Sequence, residues 1–215
     1  MCHLLPGGET MDFSKTKYTV LDQIVASDKV RKKIIDTASA LYAKKGYAAT
    51  SIEQIAEMAG VSLPVTYHYV KKKSEIMKLI MEDLLSTFRE SLTSHLSSIH
   101  DPEEKLGAAV ILFFKAVDQQ REKILLIYQK SGSLDAASKA KIMQLEVEVS
   151  EIFAGIIKEG IEARLFKEVD IDVMAFNIIM MAHMWVLKKW HLKRRLGLEK
   201  FIELQLATIL GALRK

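Results

Sequence analysis

With 215 residues, 49% of them hydrophobic and 27% charged, the chain is long enough for one good core or two modest domains, and its composition excludes intrinsic disorder. Three prolines, ten glycines and no β-branched runs of period two leave a nearly all-helical chain as the default reading. The net charge of +4 is uneven: from Lys29 to Lys78 ten Lys or Arg stand against four Asp or Glu (+6), and the remainder holds 21 against 23 (−2), so the cation excess marks one region as a candidate phosphate binder.

The single cysteine, Cys2, has no internal disulfide partner, and no cysteine–histidine cluster has zinc spacing, so neither a metal nor a cofactor is expected. No apolar run reaches the roughly 18 residues of a membrane span, and the N-terminus lacks the charged-then-apolar pattern of an export leader. A cytoplasmic location is expected.

In chain order, residues 1–26 show no strong periodicity, and Pro6-Gly7-Gly8 predicts a mobile arm. Ser27 is the expected N-cap of a first helix whose stripe is Val30, Ile34, Ala38 and Leu41, ending at Lys44-Lys45-Gly46 with cations at the negative helix end.

The stretch TSIEQIAEMAGVSLPVTYHYVKKKSEI, from Thr50 to Ile76, reads as two short helices around a tight turn, followed by a third helix. Thr50 is the expected N-cap with Glu53 completing a capping box, and Gly60 ends the first short helix. Ser62 is the expected cap of the second, with Pro64 in its first turn. Along that helix Pro64, Tyr67, His68 and Lys71 share one face, and Val65, Thr66, Tyr69 and Val70 the opposite one. One face is predicted to pack and the other to read DNA, with Lys71, Lys72 and Lys73 beside it for phosphates.

After the reader, Ile76, Ile80, Leu84, Phe88, Leu92, Leu96 and Ile99 hold a stripe over about six turns. Asp101-Pro102-Glu103-Glu104 starts the next helix, apolar nearly all round from Leu106 to Val117. A short helix follows over Ile124 to Tyr128, and Ser131-Gly132-Ser133 breaks it. A long helix is predicted over Leu134–Phe166, a strongly apolar one over Met174–Arg195 with Asp170 or Asp172 as its cap, and a last one over Leu198–Leu213. Met174, Met180, Met181 and Met184, with Phe113, Phe114 and Trp185, offer adaptable apolar surface for a pocket or for ordinary core. His183 reads as a core or pocket histidine, since His191 eight positions on is no helical ligand partner. Lys188, Lys189, Lys193, Arg194 and Arg195 crowd the end of the same predicted helix.

The run KKIIDTASALYAKKGYAATSIEQIAEMAGVS with Tyr67, Tyr69, Lys73 and Ile76 resembles the N-terminal domain of the TetR/AcrR family of bacterial transcriptional regulators over residues 34–80. Departures are Pro64 where glycine is usual, Thr66 where leucine is usual and Val70 where phenylalanine is usual. The resemblance implies an all-α homodimer: an arm (1–26), a three-helix helix-turn-helix domain (27–80) and a helical effector-binding and dimerisation domain (81–215). It implies a double-stranded DNA operator contacted by Thr50, Ser62, Pro64, Thr66, Tyr67, His68, Lys71 and Lys73, with Tyr67 on phosphate. It implies an apolar effector near Phe113, Phe114, Tyr128, Met180, His183, Met184 and Trp185. An apolar lining beside a basic helix end fits acyl-coenzyme A, and the second domain loosely resembles TetR-family regulators of fatty-acid degradation; another apolar or drug-like ligand is the alternative. A helical enzyme is the rival class, but no nucleophile–base–acid set or phosphate loop can be assembled.

Overall fold

The computed structural model describes residues 13–130, 132 and 134–215, with side chains described from Ser27 onward. Among them the regular elements are all helical: α1 (Phe13–Lys45), α2 (Ile52–Ala59), α3 (Leu63–Tyr69), α4 (Lys73–Leu96), α5 (Pro102–Gln119), α6 (Arg121–Lys130), α7 (Ala136–Glu162), α8 (Ile171–Leu187), α9 (Lys189–Leu192) and α10 (Leu198–Leu213).

The helix starts show which local signals were decisive. Asp101, Asp135 and Asp170 each accept a hydrogen bond from the backbone N–H three residues on, which fixes the first turns of α5, α7 and α8. Ser51, not Thr50, caps α2: its hydroxyl accepts from Gln54 N, and the Gln54 amide accepts from Ser51 N. The expected capping box is therefore real but displaced by one residue. Thr50 is buried and donates its hydroxyl to Gly46 O at 2.9 Å. Gly60 ends α2 at φ 62°, where a Cβ would be strained. Ser62 precedes α3 but makes no side-chain cap bond.

Two boundaries differ most from expectation, while the predicted Leu134–Phe166 helix runs from Ala136 to Glu162 and the predicted Ile124–Tyr128 helix from Arg121 to Lys130. α1 begins at Phe13, so residues 13–26 of the expected arm are helical, and residues 1–12 lie outside the described residues. Neither glycine nor proline interrupts Phe13–Lys45, which permits the longer helix. Ser27 thus sits inside a helix, and its hydroxyl lies 2.9 Å from the Tyr69 hydroxyl. The expected helix through Arg195 stops at Leu187, with α9 as a separate turn.

Two cores hold the chain. One joins α4, α5, α7, α8 and α10 through Phe88, Phe113, Phe153 and Trp185. The other joins α1, α2 and the first half of α4 through Ile34, Ile55, Met77 and Ile80, and it also takes in Leu126 of α6 together with Leu134 and Ile142. Three buried residues from beyond position 81 thus complete the packing of the N-terminal unit. No described helix is long and apolar enough to cross a membrane.

Candidate nucleic-acid interface and effector cavity

The turn after α2 is tight because Gly60 and Val61 donate back to the last carbonyls of that helix. It sets α3 across the surface with Thr66 and Val70 buried and Pro64, Tyr67 and His68 exposed; Lys71, just past the helix, is exposed as well. Val65, expected to pack, is 42% exposed and joins the outward side. Thr66 is fully buried with its hydroxyl donated to Ser62 O at 3.1 Å, so it supports α3 from beneath and has no access to DNA. Thr50 is removed from the contact set for the same reason, having its hydroxyl spent on Gly46. Tyr67 donates its hydroxyl to Glu53 Oε1 at 2.9 Å, which ties α3 to α2. Hydrogen bonds from Ser51, the local backbone and Tyr67 hold the Glu53 carboxyl below its usual range.

Lys73 has a different role from the one expected. Its ammonium donates to three carbonyl oxygens, Tyr47 at 2.9 Å, Ala48 at 3.1 Å and Thr50 at 2.8 Å, and lies 4.9 Å over the Tyr47 ring. All three N–H donors are used. Lys73 therefore clasps the α1–α2 loop to the start of α4 and has no donor left for a phosphate. Lys72 turns to Asp135 at 3.7 Å, leaving the Lys71 side chain without an ion-pair partner among the described residues.

Away from this face, α4, α5, α6, α7 and α8 enclose a two-lobed cavity. One lobe, about 130 Å³, is bounded by Phe113, Val149, Phe176, Ile179 and Met180; the other, about 280 Å³, by Met81, Leu84, Ile124, Ile127 and Ile142. Leu85, Phe88, Tyr128, Glu146 and His183 line both. The Tyr128 hydroxyl lies 2.9 Å from His183 Nδ1 and 3.8 Å from the Met180 sulfur. Burial lowers the His183 pKa to about 4, and burial pushes the Tyr128 hydroxyl up, with the Glu146 charge adding to it. Burial also raises Glu146, which lines both lobes although the residue as a whole is exposed.

Of the seven effector residues expected, Phe113, Tyr128, Met180 and His183 line this cavity. Phe114 does not, because its ring packs on Phe201 of α10. Trp185 packs on the same ring and donates its indole N–H to Asp118 at 2.8 Å, and Met184 is exposed outside the lining. Sequence reasoning missed Glu146, although Ile142, Val149 and Phe153 at helical spacing put it on the apolar face of α7, and Phe88, which periodicity assigned only to packing. The basic helix end also lies elsewhere: Arg121, Lys189, Trp190, Lys193 and Arg194 surround a separate open cleft of about 500 Å³ that shares no lining residue with the cavity. Among the described residues no group of three His, Cys, Asp or Glu is placed to hold a metal ion.

Between the two sites runs a set of charges. Lys123 of α6 donates to Asp83 of α4 at 3.1 Å and to Asp36 of α1 at 3.4 Å, and Lys32 of α1 donates to Asp83 at 2.8 Å. Burial pushes the Asp83 carboxyl up, but hydrogen bonds and charge from the two lysines outweigh it and hold it below its usual range. α6 thus carries cavity-lining Ile124, Ile127 and Tyr128 next to a lysine bonded to the N-terminal unit.

Residues 34–80 match the family described as bacterial regulatory proteins, tetR family, and residues 100–191 match the tetracyclin repressor-like C-terminal domain. The transcriptional regulator HbdR of Aromatoleum sp. (strain CIB) is 29% identical over 196 residues, 90% of this chain and 85% of that protein. The transcriptional repressor KstR2 of Rhodococcus jostii (strain RHA1) is 28% identical over 167 residues, 75% of this chain and 79% of that one. The solved structure of AibR in complex with isovaleryl coenzyme A and operator DNA superposes with a TM-score of 0.69 at 22% identity, over 83% of this chain and 97% of that one, a likeness of fold.

Proposed function

From a chain that belongs to the TetR family of bacterial regulators through both its N-terminal and C-terminal domains, we propose a homodimeric transcriptional repressor that binds a palindromic operator and leaves it when a small apolar effector fills the α4–α8 cavity. The observation that carries this reading is α6, which lines the cavity and through Lys123 also holds α1 and α4 of the reading unit. A ligand shifts the DNA-binding equilibrium only by its differential affinity for two conformations, and a helix that touches both sites is the element able to differ between them.

The dimer is supported by an outward apolar stripe on α8, formed by Val173, Phe176, Met180 and Met184, of which Phe176 and Met180 also border the cavity, with Leu204 exposed on α10. Two copies joined there would present their α3 helices to successive major grooves about 34–36 Å apart. Pro64, Tyr67, His68 and Lys71 form the proposed contact face, joined by Ser62 and Val65. We assign the base-edge contact to His68 and phosphate to Lys71; Tyr67, whose one hydroxyl proton goes to Glu53, would contact phosphate by exchanging that bond.

For the effector we propose an acyl-coenzyme A, supported by the apolar lining and by a fold relative crystallised with isovaleryl coenzyme A. A second reading, an apolar ligand without a nucleotide, is favoured by the separation of the cationic cleft from the cavity. Operator selection from random DNA, followed by release titrations with acyl-coenzyme A thioesters of increasing length, free acids and coenzyme A, tests both. Release by thioesters and not by coenzyme A supports the first effector, and release by uncharged compounds alone supports the second. His68→Ala is expected to change the selected bases; an unchanged motif removes His68 from base readout.

A further inference from the structure

The polar groups of the cavity specify more than its apolar walls do. Tyr128 has one proton to donate, and His183 Nδ1 at 2.9 Å is a nearer and better acceptor than the Met180 sulfur at 3.8 Å. With Nδ1 accepting, the ring proton of a neutral imidazole resides on Nε2. No other described residue hydrogen-bonds His183, whose remaining neighbours include the Phe113 ring at 6.3 Å. Nε2–H, with no acceptor among the described residues, is available to donate to a ligand in the cavity. Glu146 lines the same two lobes and has neither a hydrogen bond nor an ion pair among the described residues. No lysine or arginine lines either lobe, so nothing there compensates an added negative charge.

We infer that the cavity selects an uncharged apolar molecule carrying a carbonyl-type hydrogen-bond acceptor, bound by His183 Nε2–H with Tyr128 fixing the ring, and that Glu146 excludes the corresponding carboxylate. This rests on the reading of the cavity as the effector site and adds the chemistry it recognises. A thioester, an ester and a ketone meet the requirement equally, because each presents a neutral carbonyl oxygen. A positively charged ligand paired with Glu146 is the competing arrangement.

The test is calorimetric binding to the full-length protein of three probes with one chain length: methyl hexyl ketone, octanoate and octylamine. The ketone is expected to bind tightest, with octanoate weaker by about tenfold or more, the size of one charge-dependent contact. His183→Phe, with thermal unfolding checked, is expected to lower ketone affinity about tenfold, and His183→Gln, which keeps an N–H donor, to restore part of it. Glu146→Gln is expected to narrow the gap between octanoate and the ketone about tenfold by improving octanoate binding. Octylamine binding tightest, or a ketone affinity insensitive to His183→Phe in a folded variant, overturns the inference. Operator release is followed separately: probes that bind in the expected order without releasing DNA would discard the effector reading while leaving the cavity's selectivity in place.

Discussion

The reading unit and the cavity are built from opposite materials. In the reader, polar groups lock one geometry: Lys73 holds three carbonyls, Ser51 and Gln54 cap each other, and Tyr67 is tied to Glu53. In the cavity, methionine, phenylalanine and aliphatic side chains surround empty volume with one tyrosine–histidine bond between them. Hydrogen bonds are directional and hold a helix at a fixed pose, whereas apolar contacts tolerate repacking at modest cost. Under the proposed function, a reader that must match DNA spacing benefits from the first, and a sensor that must admit a ligand benefits from the second.

The sharpest way to break this contrast is at Lys73. Lys73→Ala removes three charge-assisted hydrogen bonds and is expected to destabilise the protein by about 3 kcal/mol, measured by denaturant titration. In conditions where the variant stays folded, the salt dependence of operator binding is expected to keep its slope. A slope lowered by about one with stability intact would return Lys73 to the phosphate contacts.

Lys123→Met cuts the connection between the two regions. The lysine and Asp83 side chains are only 11% and 12% exposed, so losing their pair is expected to cost about 2 kcal/mol, less than an isolated buried pair because Lys32 still serves Asp83. The informative readout is the ratio of effector affinities with and without operator, expected to fall about fivefold or more toward unity. An unchanged ratio would show that the signal travels by another route.

A smaller effect probes the soft side. His183 titrates at about 4 in the folded chain because burial opposes its charge, against 6.5 when exposed. Between those values the unfolded chain binds a proton that the folded one does not, so stability rises with pH across the window and is lost on acidification from 6.5 towards 4, by at most about 1.4 kcal/mol per pH unit. The titratable groups facing it are Tyr128 from α6 and Glu146 from α7, α4 and α5 contributing only apolar side chains to the lining. His183→Phe is expected to flatten this part of the pH–stability profile, and an unaltered profile would place the histidine in water.

The sequence made the reader readable because its signals are local: Gly60 at positive φ, a cap followed three residues later by its partner, and a packing face spaced by helical period. Even there the cap was placed one residue early, since Thr50 and Ser51 are both good caps and only tertiary packing buries the first. Lys73 was misread because three carbonyls presented by another loop leave no trace in local pattern. The cavity was half legible. Phe113 and His183 stand out in composition, but whether Phe114 or Trp185 faces the cavity or α10 depends on helix rotation, which an all-round apolar helix does not encode. Glu146 was legible in principle, since Ile142 and Val149, four before it and three after, place a carboxylate inside the apolar stripe of α7, but a stripe traced by its hydrophobic members alone passes over it.

The three buried side chains that complete the N-terminal core, Leu126, Leu134 and Ile142, bear on how the molecule melts. A reader cut loose after α4 would keep its hydrogen-bonded clasp yet bare the apolar patch those residues cover, so neither half is a self-sufficient folding unit. Heating should therefore produce one cooperative transition that carries both ends of the molecule with it, and ligand added to the cavity should raise the melting temperature of the DNA-reading helices that it never touches.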